Sequence, residues 1–175
     1  MNKVIILLSI LVQLSSCSFH SSQYDLFTSL FVQENSSLKP EKNWDAYWGN
    51  KQIDLYAINF EDQIIFANED INIFYKDKQV YKITGLLSDN SVLGIDSNHG
   101  TLVYILNNKK IGVDSCEVGQ LAVMDDLSEK YSRSCSESKS KKSYENQITA
   151  NSEGMIISMQ FKVHPDYPLL QLSLK

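Results

Sequence analysis

Paired runs of β-forming residues around short polar turns constrain this chain more than any other feature. At 71–83, Ile71, Ile73 and Tyr75 precede Lys76-Asp77-Lys78, and Val80, Tyr81 and Ile83 follow. Such residues pack well on a pleated surface, so the pattern predicts two paired strands, ended by Gly85. A second hairpin is predicted over 102–113, where Asn107-Asn108 tolerates the positive φ that tight turns require. Alternation over 53–60 puts Ile53, Leu55, Ala57 and Asn59 on one face and Tyr56, Ile58 and Phe60 on the other. Residues 64–66 continue the strand character, and 92–95 form a short strand. Toward the C-terminus, 144–149 is a strand, 151–154 a turn, 155–163 a longer strand and 169–174 a closing one. His164-Pro165-Asp166-Tyr167-Pro168 separates the last two. Residues 33–42 and the Ser/Lys-rich 132–143 read as loops. Helical spacing occurs at 24–31, through Tyr24, Leu26, Phe27, Leu30 and Phe31. The expected fold is mainly β, an antiparallel meander forming a half-barrel or sandwich, with one short N-terminal helix.

The N-terminus carries an address. Lys3 is followed by an apolar run over 4–14, interrupted by Ser9 and Gln13. At about eleven residues it is too short to cross a hydrocarbon core, which takes ~20, and it has the anatomy of a secretory signal. Leu14-Ser15-Ser16-Cys17 is similar to a bacterial lipobox, in which cleavage leaves the cysteine as an acylated N-terminus. The expected organisation is therefore a signal peptide over 1–16, a lipid tether over 17–23 and a single β-rich periplasmic domain over 24–175. Cys17 is the expected lipidation site. Ser18 after it resembles sorting to the outer membrane. Two or more acyl chains, at ~0.8 kcal/mol per buried CH₂, anchor a protein firmly.

Export also bears on the other two cysteines. Cys116 and Cys135 lie 19 positions apart, and an even pair in an exported chain reads as a disulfide. A redox pair prefers Cys-x-x-Cys spacing, and zinc needs more Cys or His close by. The net charge of −5 argues against a nucleic-acid partner, which requires a basic face.

Catalytic patterns are weak. His20, His99 and His164 are scattered, and no Gly-x-Ser-x-Gly or phosphate-binding loop occurs. Glu61-Asp62 and Asp125-Asp126 are adjacent acids. Neighbours on a strand point to opposite faces, so they make a poor glycosidase pair, and solvated loop acids are the simpler reading. No catalytic residue, metal or cofactor is expected. Trp44, Tyr47 and Trp48, beside Asp45, form either a sugar-stacking platform or an aromatic plug in the core. Lys139, Lys141 and Lys142 make a small basic patch in a Ser-rich loop.

Two regions carry a family likeness. The stretch 71–86, ending Ile83-Thr84-Gly85-Leu86, resembles the strand, turn, strand and Thr-Gly-Leu ending of the group 4 capsule polysaccharide lipoprotein family. Tyr144-Glu145-Asn146-Gln147 resembles its Tyr-x-Asn strand opening. Gly154, Ile156, Ser158 and Gln160 resemble a further element of that family, and Pro168 followed by alternating apolar residues resembles its final strand. The resemblance implies a lipoprotein on the periplasmic face of the outer membrane, working with polysaccharide export proteins or glycan. The expected function is a non-enzymatic accessory to capsule or exopolysaccharide assembly or export. The competing expectation is an inhibitor or carrier lipoprotein that binds a protein or lipidic ligand. A periplasmic glycan hydrolase is the third.

Overall fold

The computed structural model describes residues 41–98, 100–124 and 127–175. Cys17, the tether and the helix expected over 24–31 lie outside them. Thirteen strands follow one another, with no helix among the described residues. The first five are β1 (Glu41–Trp48), β2 (Lys51–Phe60), β3 (Gln63–Ala67), β4 (Asn72–Lys76) and β5 (Gln79–Thr84). Then come β6 (Val92–Asn98), β7 (Thr101–Leu106), β8 (Lys109–Cys116) and β9 (Gln120–Val123). The last four are β10 (Glu129–Glu137), β11 (Ser143–Ala150), β12 (Ile156–Phe161) and β13 (Leu170–Leu174).

Local chemistry places the hairpins where expected. The β4–β5 turn takes positive φ at Asp77 (51°) and Lys78 (60°), and the β7–β8 turn does so at Asn107 (47°) and Asn108 (66°). Gly85 ends β5 at φ 81°. A Cβ there would lie 1.9 Å from the Asp70 carbonyl oxygen, so only glycine fits.

The sheet does more than meander. β1 pairs with both β2 and β13, while β11 pairs with both β12 and β10. The ring therefore closes through every strand except β9, which is attached to β10 alone. The expected half-barrel or sandwich is corrected to a closed antiparallel barrel. Closure removes the exposed edges that an open sheet would carry. Register shifts at Lys42/Trp44, Phe74/Tyr75, Tyr104/Ile105 and Thr149/Ala150 supply the local bending. Inward side chains fill the ring. Trp44 meets Phe66 edge-on at 4.8 Å, and Tyr75 on β4 reaches Phe161 on β12 at 6.3 Å. Burying a Leu, Ile or Phe in such a core contributes ~1.5–3 kcal/mol.

Two segments depart from the sequence reading. The polar stretch expected to be a loop over 132–143 is β10 through Glu137, followed by a turn into β11. Ladders on both flanks satisfy its backbone, which outweighs the poor strand preference of its serines. β1 begins at Glu41, so the described end of the loop expected over 33–42 is strand, held by its ladder to β2, and farther along it Trp44, Ala46 and Trp48 alternate inward. Because all pairings are antiparallel, the β2–β3, β4–β5, β6–β7 and β11–β12 turns share one end of the barrel with β9. The β12–β13 connection lies at the other end.

Candidate functional site

A cleft of about 370 Å³ opens at the end that carries the β4–β5 turn. The hairpin contributes Lys76, Asp77, Lys78, Gln79 and Tyr81. β6 supplies Ile95 and Ser97, and β10 supplies Tyr131 and Arg133 from alternate positions on one face. Lys78 Nζ stands 5.0 Å above the centre of the Tyr131 ring. The Arg133 guanidinium is fixed by two neutral oxygens. Its Nη1 donates to Ser97 Oγ at 2.9 Å, and its Nε donates to the Glu117 carbonyl at 3.1 Å. Lys76 is paired with Asp62, which holds the lysine pKa up and the aspartate pKa down. The Tyr81 hydroxyl donates to Gln63 Oε1. Burial, helped by Tyr131 and Asp77, pushes the neighbouring Tyr75 phenol up to about 12.

The disulfide frames this cleft. Cys116 and Cys135 are bonded, with Cα atoms 4.0 Å apart, and they face each other across the β8–β10 ladder. The bond sits at the root of the segment 117–134, from which Tyr131 and Arg133 project. Gly119 lies against the Tyr131 ring, where a Cβ would come within 1.9 Å of Tyr131 Oη. The outer part of this segment is apolar and exposed: Val118 is 88% accessible and Leu127 69%, with Leu121, Val123 and Met124 between them.

A second polar cluster is buried. Asp114 Oδ2 accepts from the Tyr104 hydroxyl at 3.0 Å and from the Tyr144 hydroxyl at 2.8 Å, while Oδ1 accepts from the Ser138 N–H at 3.3 Å. Burial is the main cause that raises both phenol pKa values. Nearby, Lys162 Nζ pairs with Glu137 Oε1 at 2.8 Å, which holds the Glu137 carboxyl below its usual range. These groups satisfy one another.

The residues singled out in the sequence are dispersed. Trp44 and Trp48 are buried, Tyr47 faces outward on the opposite side of β1, and the three share no surface. Trp48 stacks on Tyr167 at 4.7 Å and donates from Nε1 to the Pro168 carbonyl at 3.1 Å. His164 is buried at the same end and packs edge-on against Tyr167 at 4.7 Å. Its Nδ1 accepts the Asp166 N–H at 3.1 Å. Glu61 and Asp62 occupy the exposed β2–β3 turn. Lys139, Lys141 and Lys142 are exposed in the β10–β11 turn, at the end opposite the cleft. Cys17, His20, His99, Asp125 and Asp126 lie outside the described residues. Among the described residues, no group of three or more His, Cys, Asp or Glu is placed to hold a metal ion. Sequence reasoning missed the cleft, although the 131/133/135 alternation on β10 was a usable signal.

No family model matches the chain, and no curated protein does. The crystal structure of the hypothetical lipoprotein YmcC from Escherichia coli K12 is similar to it in fold, with a TM-score of 0.55 and 11% identity. The match covers 92% of this chain and 98% of that one. At that identity the likeness establishes a shared β architecture.

Proposed function

We propose that this protein is a non-enzymatic lipoprotein, anchored through Cys17 to the periplasmic face of the outer membrane, that assists capsule or exopolysaccharide assembly or export by holding glycan. The observation that carries the reading is the cleft, where tyrosine rings and cationic side chains stand together on a rigid barrel. Aromatic faces offer apolar area, and cations fix orientation by charge-assisted hydrogen bonds. The lipobox-like stretch 14–17, the motifs that resemble those of the group 4 capsule lipoprotein family and the fold likeness to a hypothetical lipoprotein support the same reading.

The test is deletion of the gene, followed by complementation with wild type, Cys17→Ala or Tyr131→Ala. Loss of surface polysaccharide on deletion, restored by wild type but not by either variant, is the expected outcome. Unchanged surface polysaccharide in the deletion strain refutes the proposal.

The exposed strand β9 favours a second reading, an inhibitor or carrier lipoprotein. Among the described strands it pairs with β10 alone, and its apolar neighbours are exposed. An extended segment of a partner protein adds readily to such an edge. Under that reading, Leu121→Asp rather than Tyr131→Ala abolishes function.

A further inference from the structure

We infer that the cleft is a receptor for an anionic saccharide, one bearing carboxylate or phosphate groups. The inference rests on the glycan-holding role proposed above and names the ligand class.

Charge is the first argument. The whole chain carries −5, yet the cleft lining holds Lys76, Lys78 and Arg133 against the single acid Asp77. Lys76 is neutralised by Asp62. Among the described residues, neither Lys78 nor Arg133 forms an ion pair. The cleft is therefore a local reversal of sign on an acidic protein, which attracts anions.

Preorganisation is the second. Neutral oxygens of Ser97 and Glu117 hold the Arg133 guanidinium, so its position is fixed while its charge is not cancelled. A planar, fixed guanidinium suits carboxylate and phosphate, and little side-chain entropy remains to be lost on binding. Lys78 is the adjustable partner. Its ammonium rests over the Tyr131 ring, an exposed cation–π contact of ~0.5–1 kcal/mol. A sugar that stacks on Tyr131 displaces the ammonium from the ring and places its own anionic group within reach of it. The weak contact is thus exchanged for a charge-assisted hydrogen bond.

The third argument is the rings. A bare inorganic anion makes no use of Tyr131 and Tyr81, whereas a sugar ring covers apolar area on both. The cleft volume falls at the low end of the ~300–1,000 Å³ typical of small-ligand sites, and suits a short saccharide segment.

Calorimetry on the mature lipidated protein in detergent tests this with three probes: oligogalacturonate, phosphomannan oligosaccharide and neutral dextran oligosaccharide. At least one charged probe should bind, more weakly at 0.5 M than at 0.05 M salt, while dextran should not. Lys78→Asn keeps a residue that tolerates the positive φ of the turn and removes the charge; it should weaken binding about fivefold. Tyr131→Ala should weaken it at least as much. Absence of binding by both charged probes, equal binding of dextran, or unchanged affinity in both variants overturns the inference. The two proposals fail separately. Polysaccharide loss in the deletion strain without charged-probe binding removes the ligand class and leaves the accessory role. Charge-selective binding with normal surface polysaccharide removes the role and leaves the site.

Discussion

Replacing Tyr104 by Phe deletes one oxygen from the interior and leaves the ring in place. Tyr104 is 0% exposed and Asp114 2%, so water cannot take over the lost partner. The phenol donates at 3.0 Å to Oδ2 of Asp114, which also accepts from Tyr144 at 2.8 Å. Each phenol has one proton. With both directed at the same carboxylate oxygen, their 2.9 Å approach to each other stabilises little. The loss is therefore one hydrogen bond to a charged acceptor, worth ~1.5–3 kcal/mol. For a domain of this size that corresponds to a melting temperature about 4–12 °C lower. Urea unfolding should show the midpoint falling with the slope unchanged. Tyr144→Phe should behave alike. The double variant should lose more than the sum, because Asp114 then keeps only the Ser138 N–H at 3.3 Å, and a stranded buried charge costs ~3–5 kcal/mol. If Tyr104→Phe shifts stability by less than ~0.5 kcal/mol and the double variant is additive, the buried carboxylate is not held as described.

Three further outcomes follow from particular contacts. Cys116→Ser with Cys135→Ser should cost about 3 kcal/mol, the chain-entropy value for a loop of this length, and should speed proteolysis within 117–134; equal stability of oxidised and double-serine protein in urea speaks against it. Burial, with help from Lys162 and opposed by Asp166, depresses the His164 pKa. Between the folded and unfolded pKa values only the unfolded chain holds the extra proton, so stability is full above the unfolded value near 6.5 and falls as pH drops through the folded one. Stability measured between pH 7.5 and 5 should fall more steeply for wild type than for His164→Asn, and identical slopes would remove the claim. Gly85→Ala should destabilise far more than Gly154→Ala. Both have φ near 80°, but a Cβ at Gly85 meets the Asp70 carbonyl at 1.9 Å while one at Gly154 meets nothing within 4 Å. The second change should cost only the left-handed strain of ~1–2 kcal/mol, and equal melting temperatures for the two variants would contradict the packing.

What was legible in the sequence is what depends on neighbours in the chain. Period-two alternation and turn chemistry marked β4–β5 and β7–β8, because a hairpin needs only a few adjacent residues and a turn that accepts positive φ. The cysteine pair was legible through export and number, not through geometry. The reading of Trp44 and Trp48 as an aromatic plug in the core agrees with their burial, whereas Tyr47 between them faces outward. Tertiary structure decided the rest. β10 is polar along its length and becomes a strand because β8, β9 and β11 present ladders to it. Closure depends on β1 meeting β13, which joins the first described strand to the last. The cleft brings Lys78 over Tyr131 and Ser97 to Arg133, partners far apart in the chain and joined by no common pattern. Local sequence sets which residues face together on one strand. Which strands face each other across the barrel depends on the number of strands, the bulges that bend them and the side-chain volume that must fill the interior, and those are properties of the whole fold.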